Sequence, residues 1–204
     1  MSSGSILTPD RQNISTAADC IRNGGIVAYP TETVYGLGVD PFDDRALQRL
    51  FALKERPPEH PVLLLIHSRS EIEQLVTHIP SIASDLMDRF WPGPLTLILP
   101  ARENLSSYVT SAAGTVAIRQ ASQGTAADLL VATRGPITST SANRGGQTPA
   151  TTAQEAAEFV TGENDIVLDG YCVPDALPST LVDTTGEVPT ILRPGAIPRS
   201  DILG

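Results

Sequence analysis

Apolar and polar positions change places along this chain in short, regularly spaced blocks. Ile26 to Tyr29 is an unbroken run that reads as a buried strand, as do Val62 to Ile66 and Leu95 to Leu99. Thr16 to Asn23 reads as a short helix, opened by a Thr16-x-x-Asp19 pattern and closed by Gly24-Gly25. Asp43 precedes a clear helix that places Ala46, Leu47, Leu50, Phe51 and Leu53 on one face. Helical stretches are predicted around Glu71 to Val76 and Ile82 to Phe90, ending at a Trp91-Pro-Gly-Pro94 breaker. Further on, the pattern predicts a strand over Thr115 to Ile118, a helix over Thr125 to Thr133, a strand over Pro136 to Thr140 and a helix over Thr151 to Val160. Three short strands follow, near Ile166 to Leu168, Thr180 to Val182 and Thr190 to Leu192, whereas Pro30 to Gly38, rich in hydroxyls and glycine, reads as a loop.

Strands interleaved with helices at this spacing imply an α/β fold. The expectation is one domain with a twisted mixed sheet, the closely spaced late strands being antiparallel additions. Residues 1–12 read as a flexible tail and 13–204 as the domain, without internal repeat or linker. With 204 residues and 41% apolar content, the chain can bury one large core.

Composition narrows the setting. No apolar run approaches a bilayer span, and Met1 to Thr8 lacks the basic start and apolar stretch of a signal peptide. Cys20 and Cys172 stand far apart with no zinc-ligand spacing, so a reducing, cytoplasmic setting is expected, with no metal site and no membrane. A net charge of −9 argues against a surface built as a whole to hold nucleic acid, though a local basic cleft leaves room for weak RNA binding. Lys54 is the one lysine, beside Arg56 in a Pro-rich loop.

In α/β sheets the ligand crevice lies where loops leave strand ends. Four loops here concentrate small polar and cationic residues: Pro30 to Gly38, Lys54-Glu-Arg-Pro57, Ser139-Thr-Ser-Ala-Asn-Arg-Gly-Gly146, and Ser179-Thr180 with Arg193-Pro-Gly195. Taken singly, each has an ordinary explanation, since Ser and Thr cap helices and Gly makes turns. There is no Walker loop and no dinucleotide fingerprint, so a phosphate site would have to use side chains. Lys54 would act as a point charge, Arg56 as a fork, and Ser141 and Asn143 as neutral donors, a set that suits a nucleotide triphosphate. His60, His67 and His78 have no partner at a telling spacing, so a hydrolytic triad has little support. Asp183 reads as an Asx turn, and Tyr35 and Trp91 as packing residues.

Read in order, Tyr29-Pro-Thr-Glu-Thr-Val-Tyr-Gly-Leu-Gly38, Lys54-x-Arg56-Pro57, Trp91-Pro-Gly-Pro94, Thr115-Val-Ala-Ile-Arg119, Ser139-Thr-Ser-Ala-Asn143, Ser179-Thr180 and Ile191-Leu-Arg-Pro-Gly195 resemble the YrdC family of threonylcarbamoyl-AMP synthases. The resemblance implies a YrdC-like catalytic domain with an open concave cavity. It also implies a two-stage reaction, in which threonine's amine captures bicarbonate or CO2 and the resulting carbamate attacks the α-phosphate of ATP. By this likeness Thr33, Arg119, Ser139 and Ser179 hold L-threonine, while Arg56, His60, Thr115, Ser141 and Arg193 hold ATP. Lys54, Arg56, Ser141 and Asn143 form the catalytic signature. Magnesium would enter with ATP, bicarbonate would be a substrate, and the product would pass to a downstream threonylcarbamoyl transferase acting on tRNA.

The chain departs from the family pattern at Leu65, where many longer relatives carry histidine, and at His60, where they often carry asparagine. Gln120-Ala-Ser-Gln123 and Thr148-Pro149 also differ. Ending at Gly204, the chain resembles the short, single-domain form. Two other readings stay open: an RNA-binding module, and a divergent YrdC-like paralogue without this activity. Pro174 to Pro178, next to Ser179, is expected to be a mobile element.

Overall fold

The computed structural model describes residues 5–173 and 175–204. Ten strands form one mixed sheet in the order β1-β8-β2-β3-β7-β4-β6-β5-β9-β10. They are β1 (Ser5–Leu7), β2 (Val27–Pro30), β3 (Tyr35–Gly38), β4 (Leu63–Ile66), β5 (Leu95–Pro100), β6 (Thr115–Gln120), β7 (Ile137–Ser141), β8 (Ile166–Leu168), β9 (Thr180–Asp183) and β10 (Thr190–Arg193). The helices are α1 (Arg11–Arg22), α2 (Asp44–Lys54), α3 (Ser81–Phe90), α4 (Thr125–Thr133), α5 (Ala153–Phe159) and α6 (Arg199–Leu203), with a 3-10 turn at Arg69–Gln74.

Side chains of successive strand residues leave opposite faces, and the two cores follow that period. Ile26, Ala28, Leu64, Ile66, Val116 and Ile118 point to one face, where they pack against Leu47 and Leu50 of α2, Met87 of α3 and Ala156 of α5. Val27, Tyr29, Leu65 and Ile137 point to the other, against Ile14, Ala17 and Ile21 of α1 and Leu129 and Leu130 of α4. Each fully buried Leu or Ile contributes about 1.5–3 kcal/mol over exposure, so both helical layers are needed to hold the sheet. Leu65, the departure from the family pattern, is thus a core residue under α1 and α4.

The sequence reading is corrected in four places. Residues 5–12 are not a tail: β1 pairs in parallel with β8, and Asp10 caps α1 by accepting from the Asn13 amide at 2.9 Å, six residues before the predicted start. Pro30 to Gly38 is not all loop, because β3 pairs antiparallel with β2. Glycine there is a close-approach requirement: a Cβ on Gly38 would lie 2.9 Å from the Tyr29 ring, which crosses the hairpin. Of the late strands, only β10 on β9 is antiparallel; β8 runs parallel to β1 and β2, and β9 parallel to β5. The short α6 carries no strong apolar period, and its one buried side chain, Ile202, was not foreseen. Met1 to Gly4, and Pro174 from the segment expected to be mobile, lie outside the described residues.

Among the described residues only two charged side chains are buried, Asp165 and Lys54. Asp165 receives Arg49 at 2.9 Å and the Ile26 amide at 2.9 Å, so its charge is paired as burial demands. Lys54 lies at the site described below. No helix among the described residues is long and apolar enough to cross a membrane.

Candidate active site

Helices α1 and α4 cover only part of their face. Beyond them the same face opens into a cavity of about 400 Å³. Its floor comes from alternate residues of five strands: Gly36 of β3, Leu63 of β4, Thr96 of β5, Ala117 and Arg119 of β6, and Ser139 and Ser141 of β7. Thr33, Arg56, Ser179 and Arg193 complete the wall from the loops and from β10. A larger groove of about 840 Å³ between α1 and α4 contains none of the predicted site residues, and its arginines, Arg11, Arg22 and Arg134, are exposed.

Local structure aims each group. Thr33 sits in the tight β2–β3 turn, closed by the Thr31 hydroxyl donating to the Val34 carbonyl at 2.6 Å. Arg119 is fixed by Nε donating to the Gly93 carbonyl at 3.0 Å, so the Trp-Pro-Gly-Pro turn orients the guanidinium. Its NH2 meets the Glu32 carboxylate at 2.5 Å. The β9–β10 ladder slips between Ile191 and Arg193, a bulge of the kind that re-aims side chains beside active sites. Arg193 then donates to the Ser179 carbonyl at 3.0 Å and hydroxyl at 3.1 Å. Gly195 lets this turn lie against Ser179, since a Cβ there would fall 2.2 Å from the Pro178 carbonyl oxygen.

Ser179 carries a second contact that sequence reading missed. Its hydroxyl pairs at 2.8 Å with that of Thr96, which is fully buried. If Thr96 donates as Arg193 does, Ser179 accepts twice and keeps its own O–H for a ligand. Thr96 interrupts the apolar run Leu95 to Leu99, and that interruption was the available signal. Glu32 was likewise legible as the one acid inside the Pro30 to Gly38 motif.

Lys54 is not on the cavity wall. Helix α2 ends there, and Glu55 adopts a left-handed conformation (φ 51°) that turns the chain and sends Arg56 to the cavity. The Lys54 ammonium donates instead to the Ser141 carbonyl at 2.5 Å, the Asn143 carbonyl at 2.9 Å and Asn143 Oδ1 at 3.4 Å. It clamps the loop that presents Ser141, rather than acting as the free point charge expected from sequence. Asn143 completes the clamp: its Oδ1 accepts from the Ser141 hydroxyl at 2.5 Å and its amide donates to Gln147 O at 2.7 Å.

Two predicted ATP contacts are not on the wall either. The His60 side chain is exposed, and only its backbone takes part, its carbonyl accepting from Arg56 Nε at 2.6 Å. Thr115 shares the face of Ala117 and Arg119 but lies at the far end of β6, bonded to the Ser111 hydroxyl at 2.8 Å.

The wall therefore bears three guanidiniums, Arg56, Arg119 and Arg193, over a hydroxyl floor, with one carboxylate, that of Glu32, paired to Arg119. Burial lowers the pKa of Arg56, and burial followed by repulsion from Arg119 lowers that of Arg193. Burial, then Arg56, pushes Lys54 down from 10.5 to about 8. Such a concentration of positive charge in a chain of net charge −9 selects an anionic ligand. Among the described residues no cluster of His, Cys, Asp and Glu could hold a metal ion.

Known proteins resemble this chain over most of its length. The chain is 40% identical over 93% of its length to a threonylcarbamoyl-AMP synthase of Pyrococcus abyssi, of which it spans 56%. It is 37% identical over 86% of its length to a Cellvibrio japonicus protein of the same name, of which it spans 93%. The crystal structure of Pyrococcus abyssi Sua5 complexed with L-threonine superposes with a TM-score of 0.88 at 38% identity, covering 99% of this chain and 59% of that one. The Sua5/YciO/YrdC family model, described as Telomere recombination, matches residues 19–195, and the chain belongs to that family.

Proposed function

We propose that this chain is an L-threonylcarbamoyladenylate synthase, joining L-threonine, bicarbonate and ATP into threonylcarbamoyl-AMP with release of pyrophosphate. The carrying observation is the wall itself: three arginines and a row of hydroxyls, two of the arginines free of any ion pair among the described residues. Displacement at phosphorus needs positioning and charge neutralisation more than a protein nucleophile. The similar Pyrococcus and Cellvibrio proteins bear the synthase name, and the Pyrococcus structure holds L-threonine.

In this reading Arg119 clamps the threonine carboxylate, and Thr33, Ser139 and Ser179 hydrogen-bond its remaining polar groups. A site that pairs the threonine hydroxyl disfavours valine, which would leave those groups unpaired. The neutral amine attacks bicarbonate-derived CO2 and loses a proton, giving the carbamate. A carbamate oxygen then forms a bond to the α-phosphorus of ATP as the bond to the β-phosphate oxygen breaks and pyrophosphate leaves. Arg56 and Arg193 neutralise the phosphate charge, Ser141 lines the phosphate site with its hydroxyl proton held by Asn143 Oδ1, and Lys54 and Asn143 hold the Ser141 loop in place. His60 and Thr115 are left out of this site. Magnesium would enter with ATP and would help neutralise the charge of its phosphates. The product, a reactive mixed anhydride, passes in the cytoplasm to a transferase that modifies tRNA.

The test is pyrophosphate release by the purified protein with ATP, magnesium and bicarbonate, comparing L-threonine, L-valine and no amino acid. Release that requires both threonine and bicarbonate is expected. Silence in every arm, with salt-sensitive RNA binding instead, would overturn the reading.

A further inference from the structure

The acid inside the hairpin turn has no part in the reaction just described. Yet Glu32 makes the only ion pair, among the described residues, to an arginine of the cavity wall; Arg56 and Arg193 have none. Arg119 is 14% exposed and pinned by the Gly93 carbonyl, whereas the Glu32 side chain is 45% exposed. Ser122, one of the departures from the family pattern, reaches the same carboxylate oxygen at only 3.4 Å. The backbone beneath is held more firmly, with the Val173 amide donating to the Glu32 carbonyl at 3.0 Å. The rigid member of the pair is therefore the arginine, and the movable one is the carboxylate.

We infer that Glu32 moderates substrate affinity: its carboxylate occupies the Arg119 guanidinium that a substrate carboxylate needs, so the substrate must displace it to bind. This rests on the placement of the threonine carboxylate at Arg119. A half-exposed ion pair is weak enough to be exchanged. While it is made, the fraction of protein ready for substrate falls, and apparent affinity falls by the same fraction. Glu32 then lowers the affinity for ligands that bring a carboxylate and leaves that for ligands without one unchanged.

The test is calorimetric titration of L-threonine and L-threoninamide, which lacks the carboxylate, into wild type and Glu32→Gln. Glutamine keeps the size of the side chain and removes its charge. L-Threonine should bind Glu32→Gln about fivefold more tightly than wild type, and threoninamide should bind both alike. Equal or weaker threonine binding by Glu32→Gln overturns the inference while leaving the proposed function standing. Failure of wild type to bind threonine at all overturns both. Should Glu32→Gln fail to fold, Glu32→Asp, whose shorter side chain draws the carboxylate back from Arg119, must give the same order of affinities.

Discussion

One face of the sheet contains two regions that differ in what covers them. Under α1 and α4 the strands present Val27, Tyr29, Leu65 and Ile137. Where the helices stop, the same strands and their neighbours present Gly36, Thr96, Ala117, Ser139 and Ser141. The change occurs within a single strand, since β7 places Ile137 under α4 and Ser139 and Ser141 in the open. The covered region gains stability from apolar volume. The open one gives up that volume for depth and hydrogen-bonding groups, and its stability comes from bonds such as those made by Lys54 and Thr96.

Removing volume from the covered region should have the largest effect on folding. Leu129→Ala takes a fully buried side chain from α4 and should cost about 2–5 kcal/mol in denaturant unfolding, with KM values unchanged below the transition. Lys54→Met should affect both properties, since the Ser141 and Asn143 carbonyls lose their donor, at about 1–3 kcal/mol per unpaired group. Its rate should fall at least about tenfold as the Ser141 loop loosens.

The same lysine predicts a pH effect. Its folded value of about 8 lies below the ordinary 10.5, so between these values the unfolded chain holds the proton that the native chain has released. This group's contribution to stability therefore rises with pH across that window, while the rate, which needs the ammonium clamp, falls above about pH 8. In Lys54→Arg, whose guanidinium stays charged, that alkaline limb should be missing from the pH–rate profile. The smallest effect is expected from Thr96→Val, which keeps shape and removes the hydroxyl beside Ser179. The KM for threonine should rise about fivefold, with unfolding free energy changed by about 1 kcal/mol.

The covered region was also the more legible one in the sequence. Helix α4 occupies the predicted residues Thr125–Thr133, and α1 closes at the predicted Asn23 although it starts earlier than predicted, because period and capping are local properties. Arg119, Ser139 and Ser179 could be nominated because they belong to motifs, and strand alternation brings them to one wall. What could not be read depends on backbone turns that no pattern announces. The left-handed Glu55 ends α2 and sends Arg56 alone to the cavity, leaving Lys54 behind in the helix, and the pairing of β2 with β3 makes a strand of a glycine-rich segment expected to be loop. His60 and Thr115 were carried over by resemblance, and neither side chain reaches the wall.

The most direct measurement is mass detection of threonylcarbamoyl-adenylate made from L-threonine, bicarbonate and ATP, by wild type and by Ala117→Phe. The phenyl ring would fill part of the cavity floor while leaving the α1 and α4 region untouched. The account predicts the adenylate from wild type and none from Ala117→Phe, with both proteins folded by circular dichroism and thermal melting. Equal product from the two would show that the chemistry takes place somewhere other than this cavity.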